Sequence, residues 1–244
     1  MSGEVIVHVV RHAHIPSHES DVALTPEGHQ AAYRTGCQLV TQIGNGEVVS
    51  LLHGPSRRTR ETAWGIYRGL QEELAQSGST EVQLSAPVSH PDLRNLGLVV
   101  DGRLREAMRL FHDQVRAAYD ANPSPENAAR LAYHDGFWGA EDPLDYWMKH
   151  PGPHAEDPAQ VAKRIRGVLA QLLSTSPPSS ASRRRTLCIT HSACMRAFLR
   201  EVLDTDPGEP DFCEEFTVTK VGNGVAQVEF RGWVVNLGGA HGSA

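Results

Sequence analysis

The stretch VIVHVV, residues 5–10, is an almost unbroken run of β-branched residues. A strand with one face in water alternates apolar and polar residues. A run without that alternation is covered on both faces, so the chain needs packing layers above and below it. Two further runs resemble it, EVVSLL at 47–52 and RTLCIT at 185–190. Each of the three leads toward a helical pattern. The first leads to LTPEGHQAAYRTGCQLVTQIG, where Thr25 caps, Pro26 suits the first turn and Gly44 stops the helix. The second leads to Arg58–Ala75 and the third to SACMRAFLREVL. Repeated strand–helix units predict an α/β protein: a three-layer α/β/α sandwich with a mostly parallel central sheet.

The middle of the chain departs from this rhythm. Val82–Val88 reads as a third strand broken by Pro87. Residues 101–155 read as helical and polar, with RLREAMRLFHDQVRAAYDA the clearest amphipathic helix, and then turn aromatic and irregular in YHDGFWGAEDPLDYWMKHPGPH. We expect a helical cap insertion at about 98–153 within a single domain spanning 1–244. EDPAQVAKRIRGVLAQLL restores the helical pattern, with acidic residues at its start. STSPPSSASRRR reads as a low-complexity surface loop with Arg183, Arg184 and Arg185 in solvent. The tail FTVTKVGNGVAQVEFRGWVVNL reads as a β-hairpin around Gly222-Asn223-Gly224. Its edge strand leaves a homodimer open.

Composition narrows the function. The net charge of −6 argues against general nucleic-acid binding. No apolar run approaches the roughly 20 residues of a membrane span, and the N-terminus lacks a secretory pattern. The four cysteines, Cys37, Cys188, Cys194 and Cys213, form no C-x-x-C pair. They fit buried thiols in a reducing compartment, so a cytoplasmic location is expected.

In open α/β sheets ligands sit beyond the carboxyl ends of the strands. Arg11-His12-Ala13-His14 follows the first strand, HGPSRRTRETA the second, and His191-Ser192 the strand ending at Thr190. Three separate segments thus bring donors to one edge. Arginine offers a planar fork matching phosphate oxygens, and a neutral imidazole can attack phosphorus. Helix N-termini near Pro55 and after Thr190 add backbone N–H groups. The expected partner is a small phosphorylated molecule. Neither a metal site nor a cofactor is indicated by the spacing. His8, inside the strand, reads as a satisfied buried histidine. His14 divides evenly between pocket rim and loop structure, and Ser192 reads as a helix N-cap that could also bind.

These segments resemble the signatures of the histidine phosphatase superfamily, in its phosphoglycerate-mutase-like branch. VVRHAH is similar to strand-Arg-His-Gly, with Ala13 in place of Gly. LTPEGHQAA is similar to L-T-x-x-G-x-x-Q-A, with Gln30 one place early. GPSRRTRETA is similar to S-P-x-x-R-x-x-x-T-A, with Gly54 in place of Ser. ITHSACMRAFL supplies the second histidine, with Ser192 in place of Gly. Glu156 and Arg164 match the family's E-x-x-x-x-x-x-x-R segment. The resemblance covers roughly 4–65 and 154–202. It implies a metal-independent phosphatase acting on a small phosphomonoester or acyl phosphate. His12 would be the nucleophile, forming a phosphohistidine. Arg11, Arg58 and His191 would hold the phosphoryl oxygens, with Ser192 beside them. A phosphoglycerate-type mutase and a non-catalytic phospholigand-binding protein are the alternatives.

One departure bears on mechanism. The family's general acid is a glutamate in L-x-E-x-x-x-G, and PDLRNLG puts Asn95 there. Asparagine can hydrogen-bond a leaving group but cannot protonate it. Three readings follow: another carboxylate serves (Asp92, Asp101, or Glu106 in the cap), the leaving group needs little assistance, or turnover is poor. Trp138, Tyr146 and Trp147 are candidates for a pocket lining or for the cap's own core. Asp135, Glu141, Asp142 and Asp145 argue against highly phosphorylated substrates.

Overall fold

A computed structural model describes residues 4–78, 81–178, 181–221 and 224–237. Strand β1 (Glu4–Arg11) leads through a loop to helix α1 (Pro26–Leu39), which a short 3-10 turn extends to Gln42. Thr25 caps α1, its hydroxyl accepting from Gly28 N. Strand β2 (Glu47–His53) feeds α2 (Arg57–Gln76). The expected third strand is two short pieces, β3 (Gln83–Leu84) and β4 (Val88–Ser89), both parallel to β2 and separated around Pro87. A 3-10 turn at Pro91–Leu93 precedes β5 (Gly97–Val100) and β6 (Arg103–Glu106), and then come α3 (Leu110–Ala121), α4 (Pro125–Gly139) and α5 (Pro143–Lys149). The chain closes with α6 (Pro158–Ser174), β7 (Arg183–Thr190), α7 (Ser192–Leu203), β8 (Glu215–Val221), β9 (Val225–Phe230) and β10 (Trp233–Leu237).

The main sheet runs β10-β9-β8-β1-β7-β2-β3, with β4 also on β2. Pairs among β1, β7, β2, β3 and β4 are parallel, and the β8–β10 meander is antiparallel. One face packs Val7, Val9, Phe216 and Val228 against α6 and α7. The other packs Val10, Leu187 and Ile189 against α1 and α2. This is the expected three-layer α/β/α arrangement, and β1, pairing with β7 on one side and β8 on the other, is covered on both faces. None of the helices among the described residues is long and apolar enough to cross a membrane.

Three expectations are corrected. Arg103–Glu106 is not the start of an amphipathic helix but strand β6, paired antiparallel with β5. Asp101 and Gly102 both take positive φ, 51° and 71°, the two-residue turn whose twist suits a hairpin. The helix begins only at Leu110. Arg183, Arg184 and Arg185 lie in β7 rather than in a solvated loop, and Arg185 is 2% exposed. Buried Glu47 on the neighbouring strand is what makes this placement stable. The C-terminal tail is a three-stranded meander, because Arg231 and Gly232 make a second positive-φ turn. Gly222 and Asn223 of the expected turn lie outside the described residues.

Candidate active site

The carboxyl ends of β1, β2 and β7 converge on one end of a cavity of about 780 Å³. Arg11, His12, Arg58, Asn95, His191 and Ser192 all line it, so six of the seven residues singled out from the sequence come together. Arg11, His12, Arg58 and His191 are each at most 7% exposed.

Local packing fixes the turn after β1. His12 N donates to Thr190 O at 3.0 Å, tying it to β7. Ala13 N donates to the Thr62 hydroxyl at 2.9 Å, and that hydroxyl donates to Arg58 O at 2.7 Å. The threonine of the third signature therefore anchors the loop that carries His12. Gly28 lets α1 sit against the same loop, since a Cβ there would lie 2.3 Å from His14 O. His14 is exposed, and its Nδ1 is 3.0 Å from the Thr25 hydroxyl, so it belongs to this loop structure.

Hydrogen bonding assigns the ring nitrogens. His12 Nδ1 lies 2.8 Å from Ala13 O, which can only accept, so Nδ1 carries the proton and Nε2 keeps its lone pair. His191 Nδ1 lies 3.1 Å from the Arg58 guanidinium, which can only donate, so Nδ1 accepts and Nε2 carries the proton. The two rings stand edge to face, 5.3 Å apart. Burial, and then the nearby Arg58 charge, hold both imidazoles well below the usual histidine range. Both are neutral at physiological pH.

The arginines are held but not exhausted. Arg58 donates to His191 and to the Glu106 carboxylate, with Asp21 3.6 Å away. Asp21 also caps α2, accepting from Arg57 N at 2.9 Å. Arg11 stacks on Phe212 at 4.0 Å, donates to Pro210 O and pairs with Glu209 at 3.0 Å. The Nε–H groups of both arginines are buried and find no acceptor among the described residues. Ser192 donates to Glu209 at 2.6 Å. The N-cap of α7 is His191, and Ser192 is its first helical residue, so Ser192 is not the cap expected from the sequence.

The structure separates the candidate acid positions. Asp92 is exposed on the 3-10 turn, where Leu93 takes the buried side, and it does not line the cavity. Asp101 is exposed at the hairpin turn. Asn95 lines the cavity, and β6 delivers Glu106 to Arg58 just behind it, Glu106 itself not being one of the lining residues. Burial raises the Glu106 carboxyl above the usual range against the pull of Arg58, and Asp21 adds to the rise. The Asp101-Gly102 hairpin signature was the sequence signal for this placement. Gly54 has no room for a side chain, because a Cβ there would lie 2.5 Å from Leu93 O. Behind Asn95, Glu156 takes Arg94 bidentately at 2.7 Å and Gly97 N at 3.2 Å, while Arg164 donates to Arg94 O at 2.8 Å.

Of the three cap aromatics, Trp138 and Tyr146 line the cavity. Trp147 is fully buried, its indole donating to Glu156 O at 2.7 Å, and belongs to the core. Glu141, Asp142 and Asp145 reach the cavity, whereas Asp135 pairs with His112 and Arg116 outside it. His18 also lines the cavity, although nothing in its sequence context marked it. Among the described residues, no group of three or more His, Cys, Asp or Glu side chains is placed to hold a metal ion.

Comparisons with known proteins agree with this architecture. Residues 127–234 match the model of the histidine phosphatase superfamily (branch 1). No curated protein sequence matches the chain. Among solved structures, Bacillus stearothermophilus YhfR is 17% identical over 93% of this chain and 96% of that one, with a TM-score of 0.57. A phosphoglycerate mutase from Bacillus anthracis strain Sterne is 17% identical over 95% and 94%, with a TM-score of 0.55. The family match takes in His191 but not Arg11, His12 or Arg58, where the likeness is one of fold. The chain thus resembles the histidine phosphatase superfamily, in its phosphoglycerate-mutase-like branch, by a family match over residues 127–234 and by the fold of nearly its whole length.

Proposed function

We propose that the protein is a metal-independent phosphatase that hydrolyses a phosphomonoester through a phosphohistidine on His12, within a single domain capped by residues 98–153. The observation that carries this reading is the His12 ring. Its Nδ1–H is bound to Ala13 O, leaving Nε2 unprotonated in a cavity also lined by Arg11, Arg58 and His191. In the first step Nε2 attacks phosphorus, the bond to the leaving oxygen breaks, and Glu106 gives that oxygen its proton. In the second step water attacks the phosphohistidine, Glu106 takes the proton of the water, and phosphate departs from a regenerated His12. Arg11 and Arg58 hold the non-bridging oxygens, with His191 beside them, its Nδ1 on Arg58 and its Nε2 3.4 Å from the Ser56 hydroxyl. Most of the acceleration in phosphoryl transfer comes from such positioning and charge stabilisation.

Glu106 supplies what Asn95 cannot, and its raised pKa suits a proton donor. It also weighs against the non-catalytic binding alternative, which rested on Asn95 alone. The test is hydrolysis of para-nitrophenyl phosphate by wild type and His12→Ala, with acid-labile phosphoprotein measured after rapid quench. The wild type turns over and labels. The variant folds with unchanged circular dichroism and does neither. Turnover surviving in His12→Ala removes the mechanism.

A further inference from the structure

The phosphate-binding groups occupy only one end of the cavity, and the remainder has a different chemistry. At about 780 Å³ the cavity is far larger than a phosphate needs and falls within the range that encloses a drug-sized ligand. Away from His12 its wall is built from Leu96, Ala107, Phe137, Trp138, Leu144 and Tyr146. Phe137 and Trp138 meet edge to face at 4.9 Å, which gives this wall a fixed aromatic corner.

The charged groups around that wall do not form a second anion site. Beyond the phosphate end, Lys149 is the one lysine or arginine lining the cavity among the described residues. Its ammonium is paired with Asp145, one helical turn away on α5, at 2.8 Å. Asp142 and Glu141 add negative charge to the same rim, and Asp142 is held by Arg196 at 2.6 Å. A phosphoglycerate carboxylate, or the second phosphate of a bisphosphate, would therefore meet mainly apolar surface and carboxylates, with the paired Lys149 and His150 the polar exceptions on that side.

We infer that the leaving group is an uncharged, aromatic or bulky apolar alcohol, seated against Trp138 and Tyr146. Asp145 excludes anionic leaving groups by neutralising Lys149. This rests on the phosphatase reading above and extends it to substrate class. It also separates the protein from a phosphoglycerate mutase, which has to hold a second anionic group on its substrate for return transfer.

The test measures binding, so it does not depend on turnover. Calorimetry compares two non-hydrolysable phosphonates, 1-naphthylmethylphosphonate and 3-phosphonopropionate, on wild type, Trp138→Ala, Leu144→Ala and Asp145→Asn. Wild type is expected to bind the naphthyl compound at least about tenfold more tightly. Trp138→Ala, or Leu144→Ala if the tryptophan variant misfolds, should remove most of that preference. Asp145→Asn, on the cavity rim, should strengthen 3-phosphonopropionate several-fold and change the naphthyl compound far less. Equal or tighter binding of 3-phosphonopropionate by wild type overturns the inference. If para-nitrophenyl phosphate is still hydrolysed in a His12-dependent way, the phosphatase reading survives that result. Failure to bind either phosphonate, with no turnover of the aryl phosphate, removes both.

Discussion

Two arginine–histidine–carboxylate clusters lie buried on the same sheet, and they are built to opposite ends. At the carboxyl ends of the strands stand Arg11, His12, Arg58, His191 and Glu106. Farther back on the face that carries α1 and α2 stand His8, Glu47 and Arg185. In the second cluster every Arg185 nitrogen has an acceptor: Nε reaches Glu47 at 3.0 Å, one terminal nitrogen reaches His8 Nε2 at 2.7 Å, and the other reaches Gln42 O at 2.7 Å. Arg183 closes the group, pairing with Glu47 at 3.0 Å and Glu4 at 2.5 Å. In the first cluster both arginines keep a buried Nε–H without an acceptor, and the side chains face a cavity. The same residue types saturate an arginine in one place and leave arginine N–H groups unpaired in the other. A cavity also borders the second cluster, lined by His8, Gln42, Arg183 and Arg185, so neither residue type nor a cavity identifies a site. The two clusters differ in that Arg11 and Arg58 keep an N–H without an acceptor and Arg185 does not.

The comparison can be broken most directly at His12. His12→Ala should reduce turnover to background while the melting temperature moves little, and a large loss of stability instead would make this cluster structural too. At the other cluster, Arg185→Met should leave kcat/KM of the folded protein unchanged. It should lower stability by up to about 3–5 kcal/mol in urea unfolding, because Glu47 then keeps only the half-exposed Arg183 and the Gly44 N–H. Replacing Glu47 and Arg185 together by apolar residues should recover much of that loss.

Glu106→Gln sharpens the contrast within the open cluster. It should lower kcat by about 10²–10⁴ on an alkyl phosphate and far less on para-nitrophenyl phosphate, whose leaving group needs little protonation. Glu106 acts as an acid only while protonated, so alkyl phosphate turnover falls as pH rises through its raised pKa. That alkaline limb should vanish in the variant.

The smallest effect expected is on the pH dependence of stability. Burial lowers His134 to about 4, below its unfolded value of 6.5. A base with a depressed folded pKa contributes stability above the unfolded pKa and loses it as pH falls, so the melting temperature should drop between pH 6.5 and 4. Burial opposes ionisation of Glu47, yet Arg185 and the Gly44 N–H hold its carboxyl below 4.5, so its contribution goes at still lower pH. Arg185→Met should flatten the second loss and leave the first.

The open cluster was largely legible in the sequence because Arg11, His12 and His191 each follow an apolar run that could only be a buried strand. Arg58 was legible from the helix that follows the second run. Glu106 was not placed, because its position depends on the Asp101-Gly102 turn, and apolar periodicity across 103–121 reads as helix when that turn is passed over. The closed cluster was half legible. His8 inside VIVHVV reads as a satisfied buried residue; it is buried, with Nε2 on Arg185 and Nδ1 3.1 Å from Glu215 but without a well-formed hydrogen bond there. Its partner Arg185 sits in a basic, serine-rich stretch that reads as loop. Glu47, the residue that draws it into β7, is 138 positions away.

Glu209 gives binding at the open cluster a further property. Its carboxylate already bridges Arg11 and Ser192, so on the proposed reading an arriving phosphate would exchange one anion for another. Affinity for phosphate is then the difference between two ion pairs. The competitor is tethered to the protein, at an effective concentration that no dilution lowers. If the chain hydrolyses phosphomonoesters as proposed, the inorganic phosphate left behind would meet that competitor at once, and the same carboxylate would speed its release.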